Sequence, residues 1–238
     1  DAKVVVIAEG SLGKLAKKLG YTVKHTLFAA MEYEKYTSKL DGKLYIDFDY
    51  NDSGYAWNFP KSDGLSLGIG GLSKEHSKLG LPKKLRSYSQ QFEVNEFDKK
   101  HLHGHPILLY SGRQKLVHDN VVMIGEIAGC VDSLTAEGIR PAIKSGFLAA
   151  KVIAYSLAQN NLKALINYDV VFHQEIGRDF YYARIMSYFL NKNLKRILPM
   201  LSNESAINGF MSVFSGASSY KQKVGFKRIC KMMWKSIF

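Results

Sequence analysis

The pattern of hydrophobic and polar positions divides the chain into three parts. Residues 3–8, KVVVIA, are a continuous apolar run rich in valine, which predicts a strand buried on both faces. From residue 21 to 71 apolar and polar residues alternate between turn sequences such as NDSG and KSDG, which predicts antiparallel strands. After residue 137 the apolar residues repeat with helical spacing. One face of this predicted long helix collects Ile139, Ile143, Gly146, Ala150 and Ile153.

These patterns predict a mixed α/β (α+β) fold, in which a Rossmann-like layer carries an antiparallel sheet insert and a helical C-terminal tail. We assign residues 1–20 and 106–158 to the layer, residues 21–105 to the insert and residues 159–238 to the tail. The sequence GIGGLS at 68–73 resembles part of a glycine-rich phosphate loop. Its neighbours alternate like antiparallel strands, so we expect a turn of the sheet insert there.

Composition limits the classes of partner. The net charge of +12, from 33 Lys and Arg against 21 Asp and Glu, favours anionic partners. No zinc finger, helix-turn-helix pattern or aromatic RNA-binding motif is evident, so nucleic acid is not the expected partner. Cys130 and Cys230 form no disulfide framework, which fits the cytoplasm. No apolar run reaches the roughly eighteen residues that a membrane-spanning helix needs.

The segment 121–146 carries the strongest chemical signal. A buried strand ends near the carboxylate of Glu126, a loop of small residues follows, and a helix begins after Gly138. A carboxylate at such a strand end can accept hydrogen bonds from ligand hydroxyls, and glycines let the backbone approach a ligand. The helix start offers free N–H groups and positive potential. The segment therefore predicts a nucleotide-cofactor loop, and the alternative is a tight structural connection with glycines for packing.

Residues 125–139, GEIAGCVDSLTAEGI, resemble a known motif. It is the second flavin-contacting motif of the geranylgeranyl reductase family, G-D-A-A-G-x-x-x-P-L-T-G-E-G-I. This family belongs to the p-hydroxybenzoate-hydroxylase-like group of FAD-dependent oxidoreductases. The chain departs from the motif at Glu126, Ser133 and Ala136, where the family has aspartate, proline and glycine.

A second stretch, GYAWNFPKSDGLSLGIG at 54–70, is similar to the Y-x-W-x-F-P…G-x-G signature of the same family. Strand alternation places Tyr55, Trp57 and Phe59 on one face, at intervals of about 7 Å along the strand. The resemblance implies that these rings and Pro60 line an oily pocket for an isoprenoid chain. The alternative is an aromatic sheet face that packs against a helix.

The N-terminal stretch AKVVVIAEGS is similar to the family's strand that ends in Asp-Gly on the pyrophosphate side of the flavin. Glu9 stands in place of that aspartate, followed by Gly10. The family's first βαβ unit, with G-x-G-x-x-G, has no counterpart in the sequence. We therefore expect that unit to precede Asp1, and we expect the chain alone to be inactive.

The resemblance implies an FAD-dependent reductase that saturates C=C bonds of a geranylgeranyl-type lipid, with NAD(P)H as a candidate electron donor. No catalytic residue follows from it. The alternatives are a quinone-linked dehydrogenase or monooxygenase of the same fold, and a truncated chain that binds lipid or a partner without redox chemistry. The implied cofactor-binding residues are Glu9, Gly10, Gly125, Glu126, Gly129, Ala136, Gly138 and Ile139. The implied substrate-binding residues are Tyr55, Trp57, Phe59 and Pro60.

Two further features have weaker signals. Alternation places His101, His103 and His105 on one strand face, but no cysteine or carboxylate is spaced to complete a zinc site, so we expect no metal. The C-terminal segment 221–238 has basic residues on one helical face and apolar residues on another. It predicts either peripheral contact with an anionic membrane or a helix packed on the domain, and an isoprenoid lipid substrate favours the membrane.

Overall fold

The computed structural model describes residues 1–21, 25–36, 42–51, 54–72, 80–197 and 203–224. The chain forms two compact units. The first joins Asp1–Thr26 to Leu108–Phe238, and the second is Leu27–Ile107. The predicted mixture of helices with parallel and antiparallel strands is confirmed.

Eight strands lie in the described residues and form two sheets. They are β1 (Val5–Ile7), β2 (His25–Tyr36), β3 (Tyr45–Asp47), β4 (Gly54–Pro60), β5 (Gly64–Leu72), β6 (Leu102–Tyr110), β7 (Val117–His118) and β8 (Val121–Met123). The first unit contains a three-stranded sheet in the order β1-β8-β7. Strands β1 and β8 are parallel, with Ile7 opposite Met123, and β7 is antiparallel to β8.

The prediction that the first strand is buried on both faces is wrong. Ile7 is buried, with 1% of its surface exposed, whereas Val5 and Val6 are 36% and 44% exposed. A run of β-branched residues favours extended backbone whether or not other elements cover both of its faces. The sequence pattern therefore predicted the strand correctly but not how much of it is buried.

The helices of the described residues are mostly in the first unit. They are α1 (Lys14–Lys18), α2 (Leu81–Ser89), α3 (Ile139–Ala158), α4 (Asn167–Phe172), α5 (Arg178–Ile197), α6 (Glu204–Phe214) and α7 (Tyr220–Val224). A π-helical turn at His173–Gly177 joins α4 to α5. Among the described helices, none is both long and apolar enough to cross a membrane.

Helix α3 has the predicted position, and the start of its predicted apolar face is exposed. Ile139 and Ile143 are 78% and 69% exposed. The positions that pack inward are the small or compact residues Pro141, Ser145, Ala149 and Ser156. Small residues let the helix approach its neighbours closely on this side.

The second unit is a five-stranded sheet in the order β3-β4-β5-β2-β6, with helix α2 against one face. That face forms a hydrophobic core, in which Leu67 and Ile69 of β5 pack with Leu85 and Tyr88 of α2. The expectation of a turn at GIGGLS is wrong, because Gly68 to Leu72 lie inside the central strand β5. Glycines are tolerated in this strand because neighbouring aromatic rings cover them, as described below.

Candidate functional site

Two loops of the first unit meet at the carboxyl ends of the parallel strands β1 and β8. The ladder closes with a hydrogen bond of 3.0 Å from the Ile124 N–H to the Ile7 carbonyl. After each of these two strands the backbone forms a single 3-10 turn, at Gly10–Leu12 and at Gly125–Ala128. The two turns pack together. In open α/β sheets, this edge of parallel strands is the usual place for ligands.

Glu126 is the predicted carboxylate at this edge, and it lies partly buried. Its Oε1 accepts a hydrogen bond of 3.0 Å from the Leu108 N–H. Its Oε2 lies 3.8 Å from the position that a Cβ atom on Gly10 would occupy. Gly10 also has a φ of +69°, a backbone conformation that favours glycine. The structure thus brings Glu126 and Gly10 together and leaves the second carboxylate oxygen beside a glycine.

Glu9, also predicted to bind the cofactor, has a different set of contacts. Its two carboxylate oxygens accept hydrogen bonds of 2.7 Å from the N–H groups of Leu15 and Ala16. These hydrogen bonds lower the pKa of Glu9. The carboxylate therefore satisfies the first amides of α1, which would otherwise have no partner inside the helix.

The structure shows why glycine is needed at two predicted loop positions, Gly125 and Gly129. Gly125 has a φ of +68°, and its N–H donates a hydrogen bond of 2.9 Å to Ser145 Oγ on α3. A Cβ atom on Gly129 would lie 2.7 Å from Nε2 of Gln114, whose amide group donates to the Ala128 carbonyl. Sequence reasoning missed Ser145 and Gln114, since their partners are distant in the chain.

The start of α3 is formed by the remaining predicted cofactor residues. Ala136 has a φ of +56°, the left-handed conformation that the family's glycine would adopt without strain. A Cβ atom on Gly138 would lie 3.0 Å from Cγ2 of Val131, so the backbone here is closely packed. The Arg140 N–H donates to Glu137 Oε1 at 2.7 Å. The preceding N–H groups of Gly138 and Ile139 have no intrahelical acceptor, as at the start of any helix.

In the second unit, the predicted aromatic stripe is continuous. The ring centroids of Tyr55 and Trp57 are 5.8 Å apart, and those of Trp57 and Phe59 are 6.1 Å apart. All three side chains are partly exposed, as is Pro60. The buried residue between Tyr55 and Trp57, Ala56, belongs to the core with α2. The stripe therefore lies on the sheet face opposite α2, so the alternative that it packs on this helix is not what the structure shows.

Glycines of β5 lie directly under the rings of this aromatic face. Trp57 and Glu32 are both register partners of Gly68. A Cβ atom on Gly68 would lie 1.9 Å from Cζ2 of Trp57, and one on Gly70 would lie 2.1 Å from Cε1 of Phe28. The two rings therefore lie directly over the backbone of Gly68 and Gly70. The Trp57 indole N–H approaches Ser66 Oγ at 3.4 Å, and this hydroxyl donates to Glu32.

The structure bears in different ways on the candidate metal site and on the basic C-terminal segment. Within the described ranges, no group of three His, Cys, Asp or Glu side chains could hold a metal ion. The amphipathic part of the C-terminal tail, residues 225–238, lies outside the described residues. The prediction of membrane contact through that segment stays a prediction.

Known proteins similar to this chain are named as reductases. It is 26% identical over 190 residues to digeranylgeranylglycerophospholipid reductase 3 of Methanosphaera stadtmanae, over 75% of this chain and 47% of the relative. It is 25% identical over 243 residues to reductase 2 of the same name from Methanothermobacter thermautotrophicus, over 97% of this chain and 60% of the relative. These relatives confirm the resemblance to the geranylgeranyl reductase family. No family model matches the chain.

Two solved structures have folds similar to that of this chain. A geranylgeranyl bacteriochlorophyll reductase-like protein from Thermoplasma acidophilum has a TM-score of 0.75 and 17% identity, over 98% of this chain and 62% of its own. A flavin-dependent halogenase from Brevundimonas has a TM-score of 0.58 and 13% identity, over 90% and 44%. At such identities the likeness shows the fold alone. The chain spans about half the length of the curated relatives it matches.

Proposed function

We propose that this chain supplies the flavin-facing loops and an apolar substrate surface of an FAD-dependent reductase that saturates C=C bonds of a geranylgeranyl-type lipid. The observation that carries the proposal is the Glu126 carboxylate beside Gly10, at the ends of two parallel strands. The names of its sequence relatives support the reductase reaction over other reactions of the fold.

The residues of the first unit fit the sugar-like part and the ring of FAD. Glu126 Oε2 is an acceptor next to a backbone position without a side chain, which suits a ribityl hydroxyl. The N–H groups at the start of α3 suit negative charge on the reduced ring's N1/C2=O edge. Both carboxylate oxygens of Glu9 already accept hydrogen bonds from N–H groups of α1. We therefore propose that Glu9 orients the Gly10 turn rather than binding FAD directly. When bound, FAD would supply the redox chemistry of the reaction.

The aromatic face of the second unit fits an isoprenoid chain. Such a chain offers only C–H surface, and the partly exposed rings of Tyr55, Trp57 and Phe59 offer an apolar surface in return. Pro60 ends the stripe and is also partly exposed. We propose that these four residues bind and orient the hydrocarbon while excluding water. NAD(P)H as electron donor and peripheral contact with anionic lipid are further parts of the proposal, and each needs its own test.

The test uses the complete protein that carries this chain, purified and supplied with FAD. A geranylgeranyl lipid is incubated with it under dithionite, which avoids any assumption about the natural electron donor, and products are followed by mass spectrometry. We expect the lipid to gain two hydrogens for every double bond saturated. A Trp57→Ala variant should retain FAD but lose most of the turnover, whereas Lys18→Ala, an exposed change on α1, should match the wild type.

The outcomes separate the parts of the proposal. If the protein retains FAD but leaves the lipid unchanged, the reductase reaction is wrong and another flavin reaction of the fold takes its place. If it retains no FAD under any condition, the flavin site itself is wrong. Repeating the assay with NADH or NADPH in place of dithionite decides the electron donor.

A further inference from the structure

Glu32 of β2 lies on the aromatic face of the second unit. The next residue, Tyr33, is buried in the core with α2, and side chains in a strand alternate, so Glu32 is on the opposite face. Glu32 and Trp57 are both register partners of Gly68 in the central strand. The indole occupies the space above that glycine, 1.9 Å from the position of a Cβ atom. The carboxyl group of Glu32 is therefore a neighbour of this ring across one residue without a side chain.

Ser66 connects this carboxyl group to the indole. The Ser66 hydroxyl donates a hydrogen bond to Glu32 Oε1, and the Trp57 N–H approaches the same Ser66 Oγ at 3.4 Å. Ser66 is 5% exposed, whereas Glu32 is only partly buried. Among the described residues, Glu32 Oε2 has no hydrogen-bond partner. One oxygen is thus fixed by the sheet, and the other is available to a molecule that lies on the aromatic face.

The surroundings of Glu32 differ from those of the next glutamate on the same face. Glu34 forms an ion pair with Lys61 of the turn after β4. Within the described part of the chain, no Lys, Arg or His forms an ion pair with Glu32. A carboxyl group that hydrocarbon covers, with no cation beside it, favours its protonated form because burial disfavours the charge. An isoprenoid chain on the aromatic face would therefore favour a Glu32 that carries a proton.

Saturation of a C=C bond needs a proton as well as a hydride. The proposed function assigns the hydride, with its two electrons, to FAD. We propose that Glu32 is the general acid that supplies the proton, an inference that rests on the proposed function. The electron pair of the C=C bond takes the proton from the Glu32 O–H group, so one C–H bond forms and the O–H bond breaks. The hydride forms the C–H bond at the other carbon, and water returns a proton to the partly exposed carboxylate.

The neighbours of Glu32 suit the charges that this step creates. Loss of the proton leaves a carboxylate, which the Ser66 hydroxyl stabilises through Oε1. The lipid carbon that receives the hydride becomes electron-poor, and the π face of Trp57 favours positive charge beside it. Glu32→Gln separates the acid from a purely structural role, because glutamine still accepts the Ser66 hydrogen bond but has no acidic proton.

A binding experiment on the complete protein without FAD tests whether Glu32 meets the reacting carbon. The probes are isoprenoid amines, each with a protonated nitrogen in place of one alkene carbon, and the uncharged isoprenoid of equal length. Calorimetry measures their affinities. At least one amine should bind the wild type about tenfold more tightly than the uncharged chain, and this preference should vanish in Glu32→Gln. Glu34→Gln, a change on the same strand and face, is the matched control and should keep the preference.

Turnover of the FAD-loaded protein gives a second readout. Under dithionite, saturation of a geranylgeranyl lipid should fall about hundredfold in Glu32→Gln and stay near the wild-type rate in Glu34→Gln. The uncharged isoprenoid should bind all three proteins equally, which shows that the aromatic face is intact. Wild-type turnover or an unchanged amine preference in Glu32→Gln would overturn the proposal, and so would an equal loss in Glu34→Gln. If the wild type leaves the lipid unsaturated, the proposed function fails, while the amine preference still decides whether Glu32 lies against the bound chain.

Discussion

The carboxylate of Glu126 and the backbone of Gly10 face each other across two loops that follow neighbouring parallel strands. A Cβ atom on Gly10 would lie 3.8 Å from Glu126 Oε2, while Oε1 is bound to the Leu108 N–H. The structural bond therefore uses one oxygen and leaves the other beside a glycine. This division of the two oxygens is why we propose that Glu126 contacts a ligand as well as the loop.

Replacing Glu126 by glutamine should weaken FAD binding about tenfold, because a charge-assisted hydrogen bond is replaced by a neutral one. The glutamine carbonyl oxygen can still accept from the Leu108 N–H, so the unfolding temperature should change little. Titration of the complete protein with FAD measures the effect. Glu204→Gln, an exposed change in the first turn of α6, serves as the control. Equal affinity in both variants would remove Glu126 from the flavin site.

Local sequence patterns predicted the elements that depend on local chemistry. The alternation at Tyr55, Trp57 and Phe59 gave the correct shared face, because side chains in a strand always alternate. The same reasoning failed at Gly68 and Gly70, since glycine-rich sequence is typical of turns. There the glycines are required by Trp57 and Phe28, which come from neighbouring strands.

Contacts between distant parts of the chain could not be predicted from the sequence. Asp132 followed by Ser133 is a typical turn sequence, so its local bonds were within reach of sequence analysis. Ser145 gave no signal, because nothing in the sequence of α3 indicates that its hydroxyl accepts a hydrogen bond from the Gly125 N–H. Likewise, helical spacing collected Ile139 and Ile143 on one face of α3, but whether that face is buried depends on which elements pack there.

Gly68→Ala should destabilise the second unit by about 1–3 kcal/mol, since its Cβ would lie 1.9 Å from the Trp57 indole and force that ring to move. Chemical unfolding followed by tryptophan fluorescence measures both the lost stability and the altered environment of the indole. Gly104→Ala in β6 is the matched control, because a Cβ there has no heavy atom within 4 Å. Similar losses in the two variants would show that the indole does not lie over Gly68.

Cys130 should be inert toward thiol reagents in the native protein. It is fully buried, its Sγ donates to the Pro141 carbonyl, and burial raises the pKa of the thiol to about 12. At pH 8 almost no reactive thiolate is present. In a Cys230→Ala background, iodoacetamide should label Cys130 only after unfolding in denaturant. Rapid labelling of the native protein would show that this loop opens readily.

The pH dependence of Glu9 follows from its bonds to the α1 amides, which lower its pKa below the ordinary value of 4.5. A lowered pKa means that the unfolded chain binds the proton more tightly. The stabilisation is therefore present above about pH 4.5 and is lost as the pH falls through the lowered pKa. Calorimetry between pH 6 and 3 should show a smaller loss of unfolding temperature in Glu9→Gln than in the wild type. An equal loss in both would mean that the carboxylate does not cap α1.

Asp132 should have the opposite pH dependence. Burial raises the pKa of its carboxyl above the ordinary value of 3.8, so the folded protein binds the proton more tightly than the unfolded chain. Its contribution to stability is therefore fully present below about pH 3.8 and is lost as the pH rises through the raised pKa. Asp132→Asn keeps an oxygen for the Leu134 and Thr135 N–H groups but has no proton to lose.

Calorimetry from pH 4 to 7 should accordingly show Asp132→Asn gaining unfolding temperature relative to the wild type as the pH rises. A residual slope should remain, since burial also raises the pKa values of Asp169 and Asp179 in the same unit. Asp119→Asn, at a turn between β7 and β8, should follow the wild type. If Asp132→Asn instead loses stability steadily toward neutral pH, the ionised carboxylate is favoured at this site, and the N–H groups of Leu134 and Thr135 outweigh the effect of burial.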